Sequence, residues 1–236
     1  MSELVFVRHG QASFGKASYD KLSERGIEQV RILRRHWEAL GETFDQLYSG
    51  TLLRQTETAT ELLPLVADAP EGPVQLPALN EYNGDPLIRI YLRDHSMAEG
   101  FDENIAWPIT EERLFQQLFE AATARWIRNE LRPAAADAHF EHWSDFRARV
   151  HGAVDELMAR HRGGSRVLVS TSGGVIAMAL QRVLQFPDEQ VIATNWMVHN
   201  SSVTRVKYGN GRVSLTQFNS LSHLERPEVS HLITYR

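Results

Sequence analysis

The sequence contains no cysteine. That absence excludes a disulfide framework, a thiolate nucleophile and any Cys-ligated zinc or iron–sulfur centre. Long apolar runs are missing too: the first, Leu4-Val5-Phe6-Val7, is only four residues and follows Glu3. A secretory leader needs a basic start and a longer apolar stretch, and a spanning helix needs about 20 apolar residues. Neither is expected, and the cytoplasm is the expected compartment. Excess positive charge is also lacking: 25 Lys+Arg stand against 30 Asp+Glu, a net charge of −5. Nucleic acid and anionic membrane are therefore not expected partners, and phosphate binding would need a local cluster of Arg. What is present is a chain of 236 residues, 42% hydrophobic and 23% charged. Those values fit one folded domain with room for an insertion.

Strands and amphipathic helices alternate along the chain. Leu4–Val7 reads as a short buried strand ending at Arg8-His9-Gly10. A helix is expected from Ser23 as N-cap, with Ile27, Val30, Leu33, Trp37 and Leu40 at helical spacing and Gly41 as its stop. Gln46-Leu47-Tyr48 predicts a second strand, leading through Ser49-Gly50-Thr51 into a helix halted by Pro64. Another short strand is expected around Val74 to Leu79. Ser144 is placed to cap a helix that ends at Gly163-Gly164. Arg166–Ser170 predicts a buried strand followed by Thr171-Ser172-Gly173-Gly174 and a helix towards Pro187. Val203–Tyr208 and Val213–Phe218, flanking Gly209-Asn210-Gly211, predict an antiparallel hairpin.

This alternation predicts an α/β fold: a three-layer sandwich with a mostly parallel central sheet and helices on both faces. The chain, residues 1–236, is expected to be a single domain. The stretch 85–143, helical in pattern and without a clear strand, reads as an insertion or lid on that core. Its Phe115/Phe119/Trp126 stripe is expected to be the insertion's own packing.

Ligands of open parallel sheets sit beyond the carboxyl ends of the strands. Three such ends carry chemistry here: Arg8-His9-Gly10-Gln11, then Ser49-Gly50-Thr51 with Arg54, and Thr171-Ser172-Gly173-Gly174. Two guanidinium groups, hydroxyls and helix-start amides suit a phosphate dianion. The imidazole is the strong nucleophile of the set at neutral pH.

Arg8-His9-Gly10-Gln11 directly after the first strand resembles the signature of the histidine phosphatase superfamily, the phosphoglycerate mutase-like group. Three further segments agree in order. Leu22–Gln29 resembles the family's segment ending in Gly-x-x-Gln. Tyr48–Ala59 resembles its Ser-x-x-x-x-Arg-x-x-x-Thr-Ala segment, and Leu79–Gly84 its Leu-x-Glu turn. The resemblance implies metal-independent hydrolysis of a phosphomonoester, without a cofactor, through a phosphohistidine on His9. Glu81 would be the proton donor and later the base. Arg8, Arg54, Gln11, Ser172 and Gly173 would bind phosphate. The implied partner is a phosphorylated small molecule or inorganic phosphate.

One position departs from the pattern. Ser172 stands where the family normally has its second catalytic His. A hydroxyl donates a hydrogen bond but brings no positive charge, a loss of about 3 kcal/mol of transition-state stabilisation, roughly a hundredfold in rate. A slow phosphatase, a site with a relocated cation such as His199, and a catalytically weak phospho-ligand or protein-binding module therefore stay open. Phosphoglycerate mutase-type transfer and protein phosphohistidine hydrolysis are weaker alternatives. His139 and His142 have metal-like spacing without a nearby third ligand and are expected at the surface. Arg89, Arg93 and Arg125 are candidates to reach a substrate or plain solvated residues.

Overall fold

A computed structural model describes residues 1–13, 20–68, 71–95, 101, 105, 109 and 111–235. The chain divides into two compact units, one of Met1–Glu81 with Arg149–Arg236 and the other Tyr82–Ala148. The first unit contains a six-stranded mixed sheet, built from β1 (Ser2–Arg8), β2 (Gln46–Ser49), β3 (Val74–Gln75), β4 (Arg166–Thr171), β5 (Val203–Gly209) and β6 (Arg212–Ser220). The spatial order is β3-β2-β4-β1-β5-β6. β3, β2, β4 and β1 run parallel, while β5 and β6 add the antiparallel hairpin. At the hairpin tip Asn210 and Gly211 have φ of 53° and 73°, a tight turn that Asn and Gly tolerate at little cost.

Seven α-helices occur among the described residues. Those of the first unit are α1 (Glu24–Ala39), α2 (Leu53–Leu62), α6 (Gly173–Leu184) and α7 (Asp188–Met197). α3 (Gly84–His95) and α4 (Glu112–Ile127) belong to the second unit, and α5 (Trp143–Arg160) begins in the second and ends in the first. The crossover from β1 to β2 and the one from β3 to β4 run in opposite directions across the sheet. β1 and β4 read as continuous apolar runs because both of their faces are covered. Val5, Val7 and Leu168 from these strands join Val30, Leu33 and Trp37 of α1 in one buried cluster.

Most elements lie where the sequence placed them, with three differences. The strand expected over Val74 to Leu79 is only Val74–Gln75, and Pro77–Leu79 is a 3-10 turn instead. Pro77 has no N–H to continue a ladder. α5 starts at Trp143, so Ser144 is an exposed first-turn residue and not the cap. Burial of the Trp143 indole against Trp126, ring centres 4.9 Å apart, fixes the helix start. α7 was not anticipated. Its apolar residues do not form a stripe, and only Val191 and Ile192 are buried in it.

The second unit is helical. α3 packs on α4, and Tyr82, Phe119, Trp126, Trp143 and Phe146 form its aromatic centre, Tyr82 and Trp126 being 4.8 Å apart. Phe115 stacks on Phe119 at 5.8 Å. No helix among the described residues is long and apolar enough to cross a membrane.

Candidate active site

The sheet delivers four loops to one end: those after β1, β2, β3 and β4. Hydrogen bonds between the loops fix them together. His9 N donates to Thr171 O at 2.8 Å, which pins the β1 loop to the end of β4. Gly10 N donates to Thr58 Oγ1 at 3.1 Å, and that hydroxyl donates to Arg54 O at 2.8 Å, so the same loop is tied to α2. From the other side, Ser201 N donates to Arg8 O at 3.1 Å and Asn200 Nδ2 to His9 O at 3.3 Å.

A close backbone approach completes the frame. A Cβ on Gly10 would lie 2.3 Å from Gly26 O, and one on Gly26 would lie 2.1 Å from Gln11 O. Neither glycine has room for a side chain. α1 can therefore seat its first turn on the His9 loop, where Ser23 Oγ caps Gly26 N at 3.0 Å. One turn on, Gln29 is fully buried, and its Oε1 accepts from Gln11 N at 2.9 Å.

Within this frame His9 is 6% exposed. Its Nδ1 lies 2.8 Å from Gly10 O, a contact that places the imidazole proton on Nδ1 and leaves the lone pair on Nε2. Arg54 Nε donates towards that Nε2 at 3.2 Å. Burial, then the charges of Arg54 and Arg8, push the His9 pKa well below the ordinary imidazole value. A neutral imidazole with an available lone pair is a nucleophile at neutral pH.

Arg8 is anchored by a bond from its guanidinium to Val198 O. The Arg8 Nε lies 3.6 Å from where a Cβ of Gly173 would be, and that Cβ would meet Asn195 Oδ1 at 2.4 Å. Arg8 and the start of α6 are thus adjacent, with Asn195 against the same glycine. Glu81 reaches the next residue: its Oε2 accepts from Gly174 N at 2.9 Å. A carboxylate at a helix start is favourably placed against the helix dipole.

Of the residues expected at a phosphate site, His9 and Arg54 are in direct contact, Arg8 adjoins Gly173, and Glu81 bonds the following residue. Two others are turned to local duties. Gln11 Oε1 accepts from Ser23 Oγ at 3.0 Å. Ser172 is 1% exposed, and its Oγ accepts from Gln55 Nε2 at 2.8 Å. His199, the candidate for a relocated cation, is engaged by its own neighbours. Its Nδ1 accepts from Asn219 Nδ2 at 3.0 Å and its ring lies 4.0 Å from that of Tyr235. Arg93 pairs with Asp94 and Asp137, Arg125 pairs with Glu130, and Arg89 is exposed. His142 contacts Asn129 at 3.2 Å, His139 is exposed, and no group of three His, Cys, Asp or Glu able to hold a metal occurs among the described residues.

Two residues that the sequence did not single out belong to this neighbourhood. Asp20 Oδ1 pairs with the Arg54 guanidinium, and its Oδ2 accepts from Leu53 N at 2.6 Å at the start of α2. Gln55, the neighbour of Arg54, is fully buried between two of the site loops. Gln55 lies inside the matched segment Tyr48–Ala59 and Asp20 two residues before the segment Leu22–Gln29, which is the only signal the sequence carries for them.

A metal-independent phosphoserine phosphatase of Arabidopsis thaliana is 24% identical over 232 residues, 95% of this chain and 84% of its own length. A 2,3-bisphosphoglycerate-dependent phosphoglycerate mutase of Parvibaculum lavamentivorans is 23% identical over 201 residues, 81% of this chain and 84% of its own. Among solved structures, a phosphoserine phosphatase variant of Entamoeba histolytica in complex with phosphoserine superposes with a TM-score of 0.61 at 18% identity. It covers 95% of this chain and 100% of its own. The model of the histidine phosphatase superfamily (branch 1) matches residues 4–88 and 94–221, and the chain belongs to that superfamily.

Proposed function

We propose that the protein is a metal-independent phosphomonoesterase that works through a phosphohistidine on His9. The observation that carries this reading is the His9–Arg54 pair: a buried imidazole with its proton committed to Gly10 O and its Nε2 3.2 Å from a guanidinium N–H. That nitrogen attacks phosphorus, and the N–P bond forms as the ester P–O bond breaks. The leaving oxygen takes a proton from Glu81, which has to be protonated in the substrate complex, where the nearby phosphate dianion opposes its ionisation. Water then attacks the phosphohistidine and Glu81 accepts its proton. The N–P bond breaks with its electron pair returning to Nε2, which releases inorganic phosphate. Arg8 and Arg54 hold the phosphoryl oxygens through both steps and stabilise the charge that develops on them. On binding, the Arg54 N–H that points at Nε2 turns to a phosphoryl oxygen, which uncovers the lone pair.

Small carboxylate-bearing phosphomonoesters are the first substrates to test, since the similar proteins are named for phosphoserine and phosphoglycerate. Hydrolysis is favoured over mutase-type transfer, which requires a phosphorylated product to reorient without leaving. A second reading is a phospho-ligand-binding module with weak catalysis. It is favoured by Ser172, which gives the site a hydroxyl where the family pattern has an imidazole, and by the bond of that hydroxyl to Gln55.

The test compares wild type with His9→Ala on an aryl phosphate and on phosphoserine. Turnover lost with His9, together with an acid-labile, base-stable phosphoenzyme, supports the phosphatase. Turnover indifferent to His9→Ala sinks the mechanism. No turnover, but phosphate binding that is lost in Arg54→Ala, selects the binding module.

A further inference from the structure

Gln55 takes no part in the steps above, yet every polar atom of its side chain is engaged beside the site. It is fully buried. One amide N–H donates to Ser172 Oγ at 2.8 Å and the other to Leu79 O at 3.0 Å, while its Oε1 accepts from Leu52 N at 3.3 Å. Both donors are used, so the amide cannot turn without leaving a buried N–H unpaired. Room for it comes from Gly50, where a Cβ would lie 1.9 Å from Gln55 Oε1.

The two acceptors of the Gln55 amide both lead to Glu81. Leu79 stands two residues before it, and Ser172 two residues before Gly174, the residue whose N–H donates to Glu81 Oε2. Gln55 therefore closes a ring: Ser172 to Gln55, Gln55 to Leu79, along the chain to Glu81, across to Gly174 and back to Ser172. Other side chains steady the same turn. Thr171 Oγ1 donates to Leu79 O at 2.7 Å, and Arg149 donates to Ala78 O at 2.9 Å and Asn80 O at 2.7 Å. Three consecutive carbonyls ahead of the carboxylate are thus each held by a side chain. The ring also bears on position 172. An imidazole there in the serine's rotamer would overlap the Gln55 amide, which is 2.8 Å from the serine oxygen.

We propose that Gln55 is a positioning residue: it takes the room a second histidine would use and spends it on fixing Glu81 against the start of α6. This rests on Glu81 being the proton donor. Such a role predicts a dependence on the leaving group. An aryl phosphate with a good leaving group, such as p-nitrophenyl phosphate, needs little protonation; phosphoserine, with an alkoxide leaving group, needs it fully.

The experiment measures kcat and KM for these two substrates in wild type, His9→Ala, Gln55→Leu, Ser172→Ala, Ser172→His and the double variant Gln55→Ala/Ser172→His. Gln55→Leu is expected to lower kcat for phosphoserine by about 10- to 100-fold more than for p-nitrophenyl phosphate, with little change in KM. Ser172→Ala, which removes one anchor and leaves Leu79, should show the same bias more weakly. Ser172→His should lose activity beside Gln55 and regain at least part of it in the double variant. Equal losses on both substrates in Gln55→Leu and Ser172→Ala, or a Ser172→His variant fully active with Gln55 in place, overturn the positioning role while the phosphohistidine mechanism stands. Wild-type turnover that is absent or indifferent to His9→Ala removes that mechanism and the positioning role with it.

Discussion

Arg54 Nε lies 3.2 Å from His9 Nε2, while the opposite ring nitrogen is 2.8 Å from Gly10 O. A cation in contact with an imidazole opposes its protonation, and burial acts in the same direction. In the proposed mechanism the unprotonated form is the nucleophile, so lowering the pKa keeps His9 reactive as the medium becomes acidic. The acid limb of kcat/KM is expected below pH 6.5, the ordinary imidazole value. Titration of the His9 ring followed by NMR in the ligand-free protein is the direct check. A ring that protonates at or above 6.5 contradicts the arrangement.

The contact between Gly10 and Gly26 makes a sharper structural prediction. In Gly26→Ala the new Cβ would sit 2.1 Å from Gln11 O and 2.7 Å from Gln11 N. Both are backbone atoms of the nucleophile loop and have no rotamer by which to escape. The loop or the first turn of α1 must shift, and a displacement of about 1 Å at a nucleophile can lower turnover by roughly a hundredfold. Stability should fall by about 1–3 kcal/mol. Thermal unfolding and aryl phosphate turnover measure the two effects, and a fully active Gly26→Ala variant would show that the loop is softer than its contacts imply.

Much of this frame could be read from the sequence. β1, β4 and the hairpin carry unmistakable patterns, because strands covered on both faces are uniformly apolar and the hairpin tip requires Asn-Gly. Motif spacing reports which strand ends Arg8, His9, Arg54 and Glu81 follow, and the structure sets His9 against Arg54, Arg8 beside Gly173 and Glu81 against Gly174. Ser172 was found in the same way, but its direction was not. Only the packed structure shows its hydroxyl turned to Gln55. Gln55 and Asp20 escaped because a Gln inside a helix and an Asp in a loop are ordinary residues until their partners, distant in sequence, are known. α7 escaped for a different reason: its apolar residues lie all round the helix, so no periodic stripe announces it.

Asp20 bears on affinity for the anion. Its carboxylate bonds both the Arg54 guanidinium and the Leu53 amide at the start of α2, two groups that also attract phosphate. An incoming dianion meets an Arg54 already partly neutralised and a negative charge beside it. Asp20→Asn keeps an acceptor for Leu53 N while removing the charge. With the Asp20 side chain 39% exposed, solvent screening limits the effect. Inorganic phosphate should inhibit the variant at concentrations about two- to fivefold lower than wild type. Weaker inhibition would mean that Asp20 serves to orient Arg54 for the phosphoryl group instead of competing with it.

His223 should make the fold itself sensitive to acid. It is fully buried, its Nε2 lies 2.9 Å from Ser201 Oγ, and Nδ1 has no hydrogen-bond partner among the described residues. Burial, reinforced by the charges of His36 and Arg226, lowers its pKa to about 3. The folded state therefore keeps this imidazole neutral, while the unfolded chain binds a proton near pH 6.5. Above 6.5 neither state is charged and His223 adds no pH dependence. Below 6.5 the unfolded state gains a proton that the folded state refuses, and stability falls by up to about 1.4 kcal/mol per pH unit until the folded pKa is reached. His9, with its pKa lowered in the same sense, contributes a second proton of the same sign. His223→Gln preserves a partner for Ser201 without a titrating group. Denaturant unfolding between pH 4 and 6 should show a slope smaller by about one proton in that variant than in wild type. Identical slopes would mean that His223 accepts its proton without unfolding. The hydrogen bonds from Ser201 to Arg8 O and His9 O would then be the first place to look for the accommodation.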